Sequence, residues 1–342
     1  LTTRDSFQGP APLWERLADE GLQSRIIGLP GTFPEGGPNI LPGILTPPDH
    51  PAPTKNYRFD IDDFRQLEPL ALVRAAEAMT IARFDYVEDV ASNDDWNLLW
   101  VVEIGLDRLQ HALWHYIDPT HPRYIQDEKL SGALLEYLRL LDARLGRLVQ
   151  QLDDTETAFA IVSDHGARPM HGGIRINHWL MTNGYLHLHK LPSAPVPFDP
   201  ALIDWAKTRA WTTGGYCARI YLHNASDSVC QEIADGLRAI RGPNGEQLQN
   251  IVLSSKEVWD AQRGHCPDLL AYLGDLDYRC FGSLGEGPLH IETNDTGPDA
   301  ANHDWDGIFV AAGPGVREEE RPRRLLDVAR FVTTVLDAGH TF

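Results

Sequence analysis

Cysteine is scarce. Four occur in 342 residues, Cys217, Cys230, Cys266 and Cys280, and no two form a C-x-x-C pair. That spacing excludes a zinc knuckle and a disulfide framework and leaves them as ordinary small residues. No apolar run reaches the roughly 20 residues needed for a membrane-crossing helix, and no secretory signal opens the chain. Basic residues are outnumbered, 30 Lys and Arg against 49 Asp and Glu, for a formal charge of −19. A surface of that sign excludes a nucleic-acid polymer as the main partner. A small phosphorylated substrate remains compatible, because bound metal ions can invert the local field. There is neither a Walker loop nor a G-x-S-x-G elbow, and "GPGV" at 313–316 is a turn.

What is present describes an ordinary globular protein, 42% apolar and 23% charged. The length predicts either one large α/β domain with an elaborated insert or two domains. A helix is expected over about 12–21, a strand at 24–29, a Pro/Gly-rich segment, and a helix near 66–82. The run Leu98 to Ile104 reads as a buried strand, broken by Gly105, with a helix starting near Leu106. Leucines at 130, 134, 138, 141, 145 and 148 give one helical apolar face between Asp127 and Leu152. The strand Ala158 to Val162 follows. Strand, helix, strand predicts a right-handed βαβ unit and a parallel sheet. From 210 to 275 strands at 217–222, 251–254 and 269–273 surround a helix at 228–240. A loop is expected over 282–307, and the chain closes with the strand in "GIFVAAG" and a last helix.

Three short segments can carry chemistry. "SDHG", residues 163 to 166, sits where the strand 158–162 meets a loop; Asp164 and His165 are either turn residues or a pair of metal ligands. Asp107 and His111 are four apart on the helix after the strand 98–104, hence on one face, which His115 extends. Alone they also read as an acid near a helix start and a surface histidine. "NHDWDG", 302–307, is by itself a polar turn. Taken together, two of the three lie at strand ends, the edge where open α/β sheets bind ligands. Asp107, His111, Asp164, His165 and His303 form a carboxylate and imidazole set suited to Zn²⁺, Mn²⁺ or Fe. Five such residues can serve two adjacent ions, an arrangement used in phosphoryl chemistry. His171, His178, His187 and His189 read as packing or surface residues.

On these residues the chain resembles the alkaline phosphatase superfamily, and most of all its type I phosphodiesterase/nucleotide pyrophosphatase branch. "LDRLQH" resembles that family's Asp-x-x-x-His segment, "IVSDHG" its Asp-His-Gly signature, and "NHDWDGIFVAAGPGV" its final histidine before a strand. "INHWLMTNGYL" and "PLWERLADEGLQSRIIGLPGTFP" resemble flanking family segments. The resemblance implies an alkaline-phosphatase-like α/β fold, mostly parallel sheet flanked by helices, with a small α+β insert. The boundaries expected are 1–190 with 300–342 for the metal-binding core and 191–299 for the insert or cap. It further implies two divalent ions, Zn²⁺ first and Mn²⁺ or Fe as alternatives. Asp107, His111 and His303 would hold one, Asp164 and His165 the other.

The family completes its second site with an Asp at the end of a first strand and uses a Ser or Thr nucleophile at a helix start. Neither has a counterpart here. Thr2, Thr3 and Ser6 precede a helix, but no buried strand carrying an Asp precedes them. The expectation is therefore a fragment whose nucleophile lies upstream. The implied activity is hydrolysis of a small phosphodiester or nucleotide pyrophosphate. The rivals are a phosphomonoesterase, sulfatase or phosphoglycerate mutase of the same superfamily, and a non-catalytic metal-binding or interaction module.

Overall fold

The computed structural model describes residues 11–34, 37–47, 49–152, 156–260, 264–294 and 299–337. The chain opens with α1 (Leu13–Asp19), β1 (Ser24–Leu29), β2 (Ile40–Pro42), α2 (Pro69–Asn93) and β3 (Leu98–Val101). Two helices follow, α3 (Gly105–Ile117) and α4 (Glu128–Gln151), then β4 (Phe159–Val162), β5 (Gly166–Pro169), β6 (Gly172–Arg175) and α5 (Ile176–Thr182). Next come β7 (Ala210–Thr212), β8 (Gly214–Gly215), β9 (Ala218–Leu222), α6 (Asp227–Arg238), β10 (Ile251–Ser254) and α7 (Ser255–Val258). The last third holds β11 (Leu269–Tyr272), β12 (Tyr278–Phe281), β13 (His290–Ile291), β14 (Ala301–Asp304), β15 (Phe309–Ala312) and α8 (Val328–Val335). The expected loop over 282–307 thus contains two short strands.

These elements form two compact units. The first takes the described residues of Leu1–Leu109, Asp127–Gly166 and Trp305–Phe342; the second takes Gln110–Gln126 and Ala167–Asp304. In the first unit β2, β1 and β3 make a parallel sheet, Ser24 to Ile27 of β1 pairing with Leu98 to Val101 of β3. The 25-residue α2, with proline at its first position where no amide donor is needed, follows β2 and leads into β3. Val87 and Val90 of α2 bury themselves against Ile27, with Leu99 and Val101 of β3 alongside.

The helical crossover α2 therefore lies between β2 and β3, the two outer strands of the parallel sheet β2-β1-β3. The expected pairing of the strands near 98–104 and 158–162 is not made: β4 hydrogen-bonds antiparallel to β15, Val162 opposite Phe309. β1 lies against one edge of β3, and the returning C-terminal strand lies against β4.

Asp127 caps α4 by accepting a hydrogen bond from the Leu130 amide. The leucine stripe of α4 faces inward except at its rim: Leu130 and Leu134 are buried and Leu148 packs against Val87 and Val90 of α2, while Leu138 is 45% exposed. Tyr137 and Arg144 are buried on the same helix, Arg144 reaching Asp85 and Glu88 of α2 and donating to the Ile81 carbonyl at 2.7 Å.

The second unit has its own core, built from Ile174, Ile176, Leu180, Ala218, Ile220, Ile233, Leu237, Leu269 and their neighbours. Over it lie an antiparallel sheet, β10-β11-β9-β7, and a mixed one, β13-β6-β12-β8, in which β12 runs parallel to β6. β14 pairs with β5. Among the described residues no disulfide joins the cysteines.

The start of α3 rests on a buried polar network in the first unit. Glu103 accepts from the Gly105 amide at 2.7 Å and from the Thr80 hydroxyl at 3.1 Å, and Thr80 also meets the Tyr137 phenol at 3.1 Å. Arg83, only 1% exposed, faces Glu103 at 3.8 Å and donates to the Val102 carbonyl. Burial, followed by the Glu103 charge, raises the pKa of Tyr137. Glu103→Ala strands the Arg83 guanidinium and frees the first amide of α3. It should cost about 3–5 kcal/mol of unfolding free energy, read as a lower urea midpoint; an unchanged midpoint would refute the account.

Candidate active site

α3 carries Asp107 and His111 one turn apart, as the spacing requires. Asp107 belongs to the first unit, and its carboxylate is held from one side. Arg108 donates to Asp107 Oδ2 at 3.0 Å and makes a two-pronged pair with Asp60 at 2.8 and 2.7 Å. The guanidinium also lies 4.7 Å from the Phe64 ring centre. Sequence reasoning passed over both Asp60 and Arg108.

Asp164 and His165 follow β4 directly, where the strand ends and the chain turns toward β5. The Asp164 side chain is 77% exposed, and its Oδ1 lies 3.5 Å from His165 Nε2. His165 Nδ1 sits 2.9 Å from the Gly166 carbonyl, which can only accept, so Nδ1 carries the proton and Nε2 keeps its lone pair. The Ser163 hydroxyl accepts from the Ile308 amide, and the Ser163 amide donates to the Ile308 carbonyl, fastening this turn to the approach of β15. Asp107 and His165 bring a carboxylate oxygen and a ring nitrogen within 4.8 Å of each other.

His111 and His303 meet in the second unit, their ring centres 5.4 Å apart. His303 lies on β14, not in the turn that "NHDWDG" suggests. Ala300 donates its amide to the His111 carbonyl at 2.7 Å, His121 Nε2 bonds the Ala300 carbonyl at 2.9 Å, and Arg123 donates to the Asp299 carbonyl at 2.6 Å.

The decisive partner here has no local sequence signature. Asp299, with a fully buried side chain, accepts from His111 Nδ1 at 3.0 Å and pairs with Arg279. A carboxylate on Nδ1 fixes the proton there and turns the Nε2 lone pair outward, the usual support for a metal-binding imidazole. The Tyr216 hydroxyl lies 3.1 Å from that Nε2, and its ring stacks on His303 with centres 3.4 Å apart. Thr2, Thr3 and Ser6 lie outside the described residues.

Residues 2–306 match the type I phosphodiesterase / nucleotide pyrophosphatase family. The chain belongs to that family. It thereby sits in the nucleotide pyrophosphatase/phosphodiesterase branch of the alkaline phosphatase superfamily, among hydrolases of phosphoester bonds, a family that is generally metal-dependent. Among solved structures, murine ectonucleotide pyrophosphatase / phosphodiesterase 5 is similar at 13% identity and a TM-score of 0.52, covering 96% of this chain and 71% of its own. An inactive variant of the same murine protein in complex with AMP matches at 14% identity and a TM-score of 0.50, with the same coverage. At that identity the likeness is one of fold. No curated protein matches the sequence. Among the described residues no helix is long and apolar enough to cross a membrane.

The last histidine of the α3 face, His115, takes another part. Its Nδ1 is buried without a hydrogen-bond partner, and its ring lies 4.2 Å from Tyr116 and 5.9 Å from His121. Burial first, then the Arg123 and His121 charges, lower its pKa from 6.5 to about 4. Below about pH 6.5 the unfolded chain gains a proton here that the folded one refuses, so stability falls as pH drops from 6.5 toward 4. Urea midpoints measured across that range should fall less steeply in His115→Phe than in the unsubstituted protein. Parallel slopes would remove His115 as a cause.

Proposed function

We propose that this protein hydrolyses a small phosphodiester or nucleotide pyrophosphate at a two-metal site. Asp107, His111 and His303 would hold one ion, and Asp164 and His165 the other. The observation that carries the reading is the close approach of Asp107, at the start of α3, to His165, at the end of β4. Two further features support it. Asp299 holds His111 in the tautomer a ligand needs, and Arg108 holds the Asp107 carboxylate.

The donor chemistry fits the ions expected. Carboxylate oxygens and neutral imidazole nitrogens, with no thiolate among them, suit Zn²⁺ first, with Mn²⁺ or Fe as alternatives. When bound, such ions supply positive charge to the phosphoryl oxygens and lower the pKa of an attacking hydroxyl. The chain's own residues do the holding. Arg108, itself paired with Asp60, limits the rotation of Asp107, and the Gly166 carbonyl, accepting from His165 Nδ1, leaves Nε2 as the nitrogen that can face an ion. Asp164, largely exposed, is open to an ion arriving from solvent.

The attacking Ser or Thr oxygen is assigned to no residue between Leu1 and Phe342, because the motif that would present it has no match there; in this reading an upstream segment supplies it. Segment 191–299 would act as the cap that selects the substrate, on an α/β core of 1–190 and 300–342. A nucleotide is favoured as substrate by the murine relative solved with AMP.

In the full-length protein, His303→Ala and Asp164→Ala should each lower metal-dependent turnover of an aryl phosphodiester by at least about a thousandfold. Far-ultraviolet circular dichroism should stay unchanged. Undiminished diesterase activity in either variant would refute the assignment. Rates on the matching monoester and sulfate ester should be far lower; a preference for either would move the protein to another branch of the superfamily.

A further inference from the structure

The surroundings of His111 contain a group that the metal reading does not use. Tyr216 occupies the bend between β8 and β9, directly after two glycines with positive φ, Gly214 at +77° and Gly215 at +129°. A side chain at Gly214 would collide with the backbone at Gly282, so the strand must carry glycine to lie this close. The result is a firmly aimed aromatic ring. One face of Tyr216 lies on His303, and the Arg279 guanidinium sits 4.1 Å from the ring centre. The hydroxyl reaches His111 Nε2.

The proton inventory determines the direction of that last bond. Asp299 accepts only, so His111 Nδ1 is the donor to it, and the neutral ring has a lone pair left at Nε2. Tyr216 therefore donates its O–H to Nε2. The same lone pair cannot take a hydroxyl proton and bind a cation at once. Asp299, His111 and Tyr216 thus form a chain with the imidazole in the middle: one neighbour prepares the nitrogen, the other covers it.

We propose that Tyr216 is a displaceable cap on the metal-binding face of His111 and His303, and that Asp299, kept in place by Arg279, is the positioning residue that makes His111 Nε2 a ligand. This rests on the two-metal reading above. An ion entering the site must break the Tyr216 to His111 hydrogen bond and move the phenol off His303, so occupancy is coupled to the β8–β9 bend. The cap lowers affinity for the ion while protecting a lone pair that would otherwise lie beside a buried, pre-set carboxylate.

Zn²⁺ binding to the full-length protein, measured by calorimetry in competition with a chelator of known affinity, tests this. The step to follow is the one that His111→Ala removes. Tyr216→Phe keeps the stacked ring and loses only the hydroxyl, so this step should tighten by about two- to tenfold, the worth of one hydrogen bond. Asp299→Asn should weaken it by about ten- to a hundredfold. Melting curves on the metal-free variants identify any loss that comes from unfolding. A Zn²⁺-induced difference spectrum in the tyrosine region should accompany this step and lose its Tyr216 component in Tyr216→Phe. Unchanged or weaker binding by Tyr216→Phe, with the His111-dependent step intact, overturns the cap and leaves the two-metal reading standing. If the unsubstituted protein shows no Zn²⁺ step that His111→Ala removes, the reading itself falls and the cap with it.

Discussion

A charged side chain with no exposed surface has to find donors inside the protein, and Asp299 finds three. Its oxygens take the His111 imidazole N–H, the Arg279 guanidinium and the Ala301 amide. Much of the second unit's candidate site follows from that constraint. The carboxylate fixes the tautomer of His111. The arginine that balances it lies over the ring of Tyr216. The strand that continues from it carries His303. Taking away one member of such a buried set leaves the others unsatisfied, which is more costly than never having built it.

The first unit solves the same problem with a different buried carboxylate. Glu103 comes at the exit of β3 and receives the leading amide of α3, so the helix begins at a fixed place and Asp107 is presented two residues later. Arg108, the next residue, turns back to Asp60 and steadies the carboxylate beside it. In both units, then, a residue proposed to touch an ion is flanked by an arginine and carboxylate pair. Acidic residues predominate in the sequence, but around these proposed ligands arginine charge orients side chains, so that in the proposed reading the ions would be what neutralises a phosphate.

Much of this was legible from spacing. The strand at 24–29 is found with those bounds, and α3, α4, β4 and β15 appear within a few residues of where periodicity put them. Asp107 and His111 share a helix because four residues make one turn. What failed was anything set by partners distant in sequence. Arg144 is buried on α4 through its pairs with Asp85 and Glu88 of α2, which no leucine count registers. The strand after 158 pairs with the C-terminal β15, because pairing depends on which edge is available. Asp299 and Tyr216 carried no local signal at all, being an acid in a polar loop and an aromatic after two glycines. His121 shows the converse. It bonds the Ala300 carbonyl through one nitrogen and accepts the Arg123 amide through the other, a histidine fully used in holding a loop.

The bond between His111 and Asp299 spans 188 residues. A contact of that range closes a very long loop and so forms late. As the chain is synthesised, α3 emerges early and can coil on local signals alone, but its histidine waits for a carboxylate still to be translated. Until residue 299 has cleared the ribosome nothing fixes which ring nitrogen carries the proton. The set of His111, Asp299, Arg279 and Tyr216 is completed only when nearly all of the protein that surrounds it already exists.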